Sequence, residues 1–152
     1  MELRVVLDLP AVIMSTWQTV MFARWRGAPT IEAVRAVREA VRESATTLSR
    51  FAGFNFVDAI GATQFEEAVR NEISLIRREN AARQQAIATV IEGTGFWAST
   101  VRSVASGIAI MQREAFPSKN FPSLEDGCIW LAPIVNIEVA ELRKAAQAFR
   151  AS

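Results

Sequence analysis

Residues 86–98, AIATVIEGTGFWA, decide how the chain is read. Ala86, Ile87, Ala88, Val90 and Ile91 form an almost unbroken apolar run, interrupted only by Thr89. A strand apolar on both faces is covered on both faces, as in the parallel or mixed sheet of an α/β domain. Glu92-Gly93-Thr94-Gly95 then supplies two glycines for a sharp turn and a hydroxyl to cap a following helix. The stretch therefore predicts strand, turn and helix start, with further strand–helix units built around it.

Working outward, the preceding residues repeat the pattern. Residues 3–14 are β-prone, with Pro10 placing a short edge strand near 11–14. Residues 17–25 alternate as a central strand, which Gly27-Ala28-Pro29 ends. Thr30 is a helix N-cap, and Val34, Val37, Val41, Ala45 and Leu48 form one apolar stripe behind it. Arg35, Arg38, Glu39, Arg42 and Glu43 lie on the other side, read as a solvated face. Residues 51–60, FAGFNFVDAI, are a third strand. Thr63 and Glu66 match the capping box of a second helix over residues 64–83, with Phe65, Val69, Ile73 and Ile76 inward and a charged, polar end.

Beyond the central stretch, residues 96–114 read as a helix with two rows. One is Trp97, Val101, Val104, Ile108 and Met111; the other is the small-residue row Ser99, Ser103 and Gly107. A short strand follows at 118–121, then a short helix capped by Ser123 and stopped before Pro133. A last helix is capped by Asn136 and carries Val139, Leu142, Ala146 and Phe149. The order is β-β-α-β-α-β-α-β-α plus a terminal helix, an α/β layer fold with right-handed crossovers.

Composition narrows the function classes. The 152 residues suit one domain, with 51 % hydrophobic and 22 % charged residues, ordinary values for a soluble globular protein. Net charge is +1, which implies no field-driven attraction to nucleic acid or acidic lipid. The chain has no histidine and no tyrosine, which removes the commonest general base and zinc ligand and the Ser-His-Asp triad. Cys128 is the one cysteine, expected as a buried, inert thiol, and no internal disulfide can form. No uncharged apolar run reaches membrane-spanning length, and the N-terminus lacks a signal-peptide pattern; a cytoplasmic location is expected. No metal or cofactor is expected, since no Cys/His/Asp cluster has ligand spacing.

Taken together, the elements resemble the STAS domain superfamily (sulfate transporter and anti-sigma factor antagonist). They are most similar to its SpoIIAA-like, or STAS/SEC14, branch found in bacterial proteins. The residues that carry the resemblance are Phe22-Ala23-Arg24-Trp25-Arg26-Gly27 and Phe54-Asn55-Phe56-Val57-Asp58. Three further stretches add to it: Glu92-Gly93-Thr94-Gly95-Phe96-Trp97, Phe121-Pro122-Ser123-Leu124-Glu125 and Trp130-Leu131. The resemblance implies a single-domain α/β fold with a mixed, mostly parallel sheet of about five strands packed with helices. The resemblance covers about residues 11–133; residues 1–133 are read as the domain, with residues 134–152 as an extra C-terminal helix. It also implies a non-enzymatic regulatory or protein-interaction module with a regulatory protein partner. The alternative is a small-ligand or lipid-binding carrier of the SEC14-like type, with a cavity beside the Ser99–Ser103–Gly107 row.

Three groups of candidate residues follow. Asp58, Gly61 and Thr63 form the switch or interaction loop by that resemblance, although the family's Asp-Ser-Gly is replaced here by Asp58-Ala59-Ile60-Gly61-Ala62-Thr63. Thr63 is read as an N-cap in preference to a phosphosite, and Asp58 as either a partner contact or a ligand of loop amides. Gly93, Thr94 and Gly95 are a tight strand–helix turn whose free N–H groups also suit an anion. Ser99, Ser103, Gly107, Leu142 and Phe149 are the expected contact of a homodimer, made by the 96–114 helix or the terminal helix. The competing arrangement folds the terminal helix back on its own sheet.

Overall fold

The computed structural model describes residues 2–58, 66–92 and 115–152. Six strands and four helices are found among them: β1 (Arg4–Asp8), β2 (Val12–Trp17), β3 (Val20–Trp25), α1 (Ile31–Ala45), β4 (Phe51–Asp58), α2 (Glu67–Glu79), β5 (Gln84–Glu92), β6 (Ser118–Phe121), α3 (Leu124–Val135) and α4 (Val139–Arg150). The strands form one sheet in simple sequence order, β1-β2-β3-β4-β5-β6. The β1–β2 and β2–β3 pairs are antiparallel, and the pairs from β3 to β6 are parallel. The expected α/β class with a mixed sheet is therefore found, with six strands.

The antiparallel end differs from the sequence reading. The edge strand is Arg4–Asp8, and Val12, Ile13 and Met14 are buried in β2 next to it. Pro10 falls in the connection, where its missing donor costs no ladder bond. The single strand expected over 17–25 is divided by a two-residue turn at Gln18 and Thr19, with Gln18 at φ 50°. Gln-Thr has neither the glycine nor the asparagine that announces a tight hairpin, so the turn left no mark in the sequence.

Strand alternation gives the sheet two different faces. On one, Phe22, Phe54 and Phe56 are buried under α3 and α4. Phe149 of α4 lies over them, its ring centroid 5.2 Å from Phe22 and 6.1 Å from Phe56. Leu142, Ala145 and Ala146 join the same core. The stripe of the terminal helix thus finds its surface within one chain. Leu142 and Phe149 are both 0 % exposed. That corrects their expected place in a contact between copies: interior side chains cannot also meet a second molecule.

The helix ends bring further corrections. Pro133 lies inside α3, not after it. Asn136 is the C-cap of α3, in the left-handed conformation at φ 57°, and not the N-cap of α4, a place taken by Glu138. Asparagine serves both ends for different reasons, and here its tolerance of positive φ decided. Thr30 and Ser123 do cap α1 and α3, accepting from the Ala33 and Asp126 amides at 3.2 Å. The expected Thr63–Glu66 capping box does not hold, because Glu66 is itself the extended N-cap position of α2 and makes no side-chain cap bond.

On the second face, α1 buries Ala33, Val34, Ala40, Val41 and Ala45, packing with Val12, Met14, Met21 and Ala23. The adjacent α2 is attached differently. Val69 is its one fully buried residue, while Ile73 and Ile76 stay half-buried. Its described attachment to α1 is made with charge. Arg38 donates to both oxygens of Glu79 at 2.6 and 3.1 Å, Arg42 reaches Glu79 at 3.1 Å, and Arg35 and Arg38 approach Glu72 at 3.7 and 3.8 Å. The residues read as a solvated face of α1 are in part this seam.

Candidate functional site

Between α1, α2 and the second face of the sheet lies a cavity of about 200 Å³. Its floor comes from three neighbouring parallel strands: Gly53, Asn55 and Val57 of β4, Ile87, Thr89 and Ile91 of β5, and Ser118 and Asn120 of β6. Val34, Val37 and Val41 of α1 form one side, with Met21, Ala23 and Trp25 of β3 below them. Arg70, Ile73, Ile76 and Arg77 of α2 form the roof. Each set follows from periodicity: every second strand residue faces the same way, and positions 70, 73 and 77 share one side of a helix.

Two features keep the space open. Gly53 contributes no side chain at the centre of the floor. A Cβ built there would meet only Ile87 and Gln84, at 3.5 Å or more, which is ordinary contact. Glycine inside a strand weakens it and often marks a close approach by another group. The second feature is the seam of ion pairs, which holds α2 alongside α1 while Ile73 and Ile76 face the cavity.

The floor is not uniformly apolar. Strand register places Ala23 beside Asn55, Asn55 beside Thr89, and Thr89 beside Asn120. An unbroken polar row, Asn55–Thr89–Asn120, therefore crosses three parallel strands, with Ser118 one step away. The opposite face of the same strands carries Phe54, Phe56, Ala88 and Val90. Buried amides and hydroxyls cost about 1–3 kcal/mol each when left without a partner. Among the described residues, the Asn55 and Thr89 side chains have no hydrogen-bond partner, so their donors and acceptors face the cavity.

The roof adds positive charge. Arg77 has its Nη1 out of contact with solvent, and burial pushes its guanidinium down to about 10. At the outer edge, hydrogen bonding from Arg38 holds the Glu79 carboxyl below its usual range, and the same bond raises Arg38. The arrangement can therefore offer an apolar chamber, a neutral row of hydrogen-bonding groups and a cation.

Few of the residues singled out from the sequence fall among the described ones. Asp58 ends β4, in register with Glu92. Gly61, Thr63, Gly93, Thr94, Gly95, Ser99, Ser103 and Gly107 lie outside the described residues. Cys128 is buried on α3, and its thiol is pushed up to about 11 by desolvation, in accord with an inert role. Among the described residues no group of His, Cys, Asp or Glu could hold a metal ion, and no helix is long and apolar enough to cross a membrane.

The cavity residues were missed, although a signal existed. Asn55 and Thr89 are each a polar break in a largely apolar run, and with Asn120 they form one row once the strands pair in order. Arg77 reads as part of a charged helix end, yet it shares a helix face with Ile73. The fold and this chamber define a small α/β protein with a partly polar cavity on the second face of its sheet. No protein-family model, curated protein or solved structure matches the chain.

Proposed function

We propose that this protein binds a small organic ligand in the chamber beneath α2, acting as a carrier or sensor and not as an enzyme. One observation supports this above others: a cavity of about 200 Å³ whose floor combines the bare Gly53 with the Asn55–Thr89–Asn120 row. Purely apolar voids lower stability, and an apolar cavity of about 150 Å³ admits benzene. Convergent polar groups in an otherwise apolar chamber are the usual make-up of a ligand site. The reading takes the carrier side of the STAS/SEC14 resemblance, with the chamber on α1 and α2. The interaction-module reading has its candidate loop at Asp58, Gly61 and Thr63, of which the described residues include only the Asp58 backbone.

The test is a thermal-shift screen of single-ring and short-chain compounds against wild-type protein and Gly53→Leu. The substitution extends a side chain from the floor into the chamber. Compounds that raise the wild-type midpoint are expected to leave the variant unmoved. Equal shifts in both proteins would place binding elsewhere and overturn the proposal.

A further inference from the structure

Two polar side chains meet in the middle of the chamber floor. Asn55 of β4 and Thr89 of β5 are paired in parallel register, so they lie side by side about 4.8 Å apart and face the same way. Both line the cavity, and among the described residues neither side chain has a hydrogen-bond partner. Other polar groups of the same lining are already engaged. Gln84 donates to the Ala86 carbonyl at 2.8 Å, and Arg77 and Asn120 each have an interaction within the chain, so none of the three is assigned to a ligand. Val57, Ile87 and Ile91 flank the pair, and Gly53 leaves the space beside Asn55 unfilled. Resting on the ligand-binding reading above, we infer that the ligand is a neutral carboxamide or lactam with an apolar body of roughly single-ring size. Its amide lies against Asn55 and Thr89, and its body lies among Ile73, Ile76, Ile87 and Ile91.

The class follows from the donors and acceptors of the pair. An asparagine side chain carries N–H donors and a carbonyl acceptor on one planar group, and a threonine hydroxyl both donates and accepts. The group that matches the asparagine edge is another planar one, with an N–H and a carbonyl side by side. It closes two hydrogen bonds with Asn55, and its carbonyl keeps a second lone pair for the Thr89 hydroxyl. A carboxylate or an ester offers acceptors only and leaves the Asn55 carbonyl facing an oxygen. An ammonium offers donors only and leaves the Asn55 amide hydrogens facing a cation. Either mismatch strands a polar group where the ligand has displaced solvent, and a purely apolar ligand strands both side chains. The volume sets the body: about 200 Å³, against the roughly 150 Å³ that admits benzene, holds one ring and a small substituent.

The experiment is calorimetric titration with phenylacetamide and ε-caprolactam, each beside a counterpart without the N–H donor, methyl phenylacetate and cycloheptanone, and with phenylacetate as the anion. It uses the wild-type protein, Asn55→Leu, Thr89→Val and Gly53→Leu. Asn55→Leu keeps the size of the side chain and removes its amide; Thr89→Val keeps the shape and removes the hydroxyl. At least one amide is expected to bind the wild type, about 10-fold or more tighter than its counterpart, with phenylacetate weaker than phenylacetamide. Asn55→Leu is expected to weaken the amide by about 10- to 100-fold, the worth of two neutral hydrogen bonds, and to erase its preference over the counterpart. Thr89→Val, which removes one such bond, is expected to weaken the amide by about 3- to 10-fold, and it carries the test if Asn55→Leu does not fold. Gly53→Leu is expected to abolish binding of every compound.

An amide and its counterpart of equal affinity, both indifferent to Asn55→Leu and Thr89→Val but lost in Gly53→Leu, would overturn the amide assignment while leaving the chamber as the site. Phenylacetate binding more tightly than phenylacetamide would do the same. Binding that survives Gly53→Leu, or no binding by any of the five compounds, would overturn both.

Discussion

Two glycines face opposite sides of the sheet, and the structure assigns opposite outcomes to the same small substitution. Gly127 of α3 rests on Phe54. A Cβ built on Gly127 would lie 3.1 Å from Phe54 Cζ and 3.4 Å from both Phe54 Cε1 and Val90 Cγ2. Phe54 is 0 % exposed, with its ring centroid 5.1 Å from Phe56 and 5.7 Å from Phe22. The ring has no direction in which to yield. Overpacking of this kind costs about 1–3 kcal/mol, and the helix-propensity gain from Gly to Ala returns about 1. Gly127→Ala is therefore expected to destabilise by up to about 2 kcal/mol, a midpoint fall of about 2–4 °C for each kcal/mol at this chain length.

Gly53 is the opposite case. A Cβ there meets Ile87 Cγ1 at 3.5 Å and Gln84 Nε2 at 3.6 Å, and beyond it is the chamber. Gly53→Ala is expected to be neutral or to stabilise by up to about 1 kcal/mol, through a less flexible unfolded chain. Urea denaturation of the two variants beside the wild type measures both. A Gly127→Ala protein as stable as the wild type would show that the phenylalanine layer yields. A Gly53→Ala loss above about 1 kcal/mol would show that the floor is already filled.

Further outcomes follow from the same contacts. Phe149→Ala, which opens a void over Phe22 and Phe56, is expected to cost about 3–5 kcal/mol in denaturant midpoint analysis. Arg38 depresses Glu79 and Arg143 depresses Glu125. The stability that each contributes is present above the ordinary glutamate value and lost as pH falls through the lower folded value. Acid titration of Glu79→Gln should therefore show a shallower loss below pH ~4.5 than the wild type, and an identical profile would remove that pair from the account. Cys128, raised to about 11 and buried, should react with a thiol reagent at pH 8 only on unfolding; rapid native labelling would contradict its burial.

What could be read from the sequence depended on how local its cause was. Burial on both faces made β5 plain from Ala86, Ile87, Ala88, Val90 and Ile91 alone. Thr30 and Ser123 declared two helix starts because a cap is a three-residue event. Asn136 misled because its side chain suits either end of a helix, and only the backbone conformation separates the two. Gln18 gave no turn signal. The chamber depends on longer-range facts. Asn55, Thr89 and Asn120 align only through strand order and register, and Arg77 becomes a roof residue only through the placement of α2 over the sheet. Leu142 and Phe149 read correctly as an apolar stripe, but periodicity does not say whose surface a stripe covers.

The most direct test of the chamber is methyl NMR during titration with phenylacetamide. Ile73, Ile76, Ile87 and Ile91 line the proposed site, while the exposed Ile129 and Val5 serve as internal controls. The account predicts saturable shifts confined to those four isoleucines and their cavity neighbours. Shifts centred on Ile129 or Val5, or none at any of the four, would contradict it.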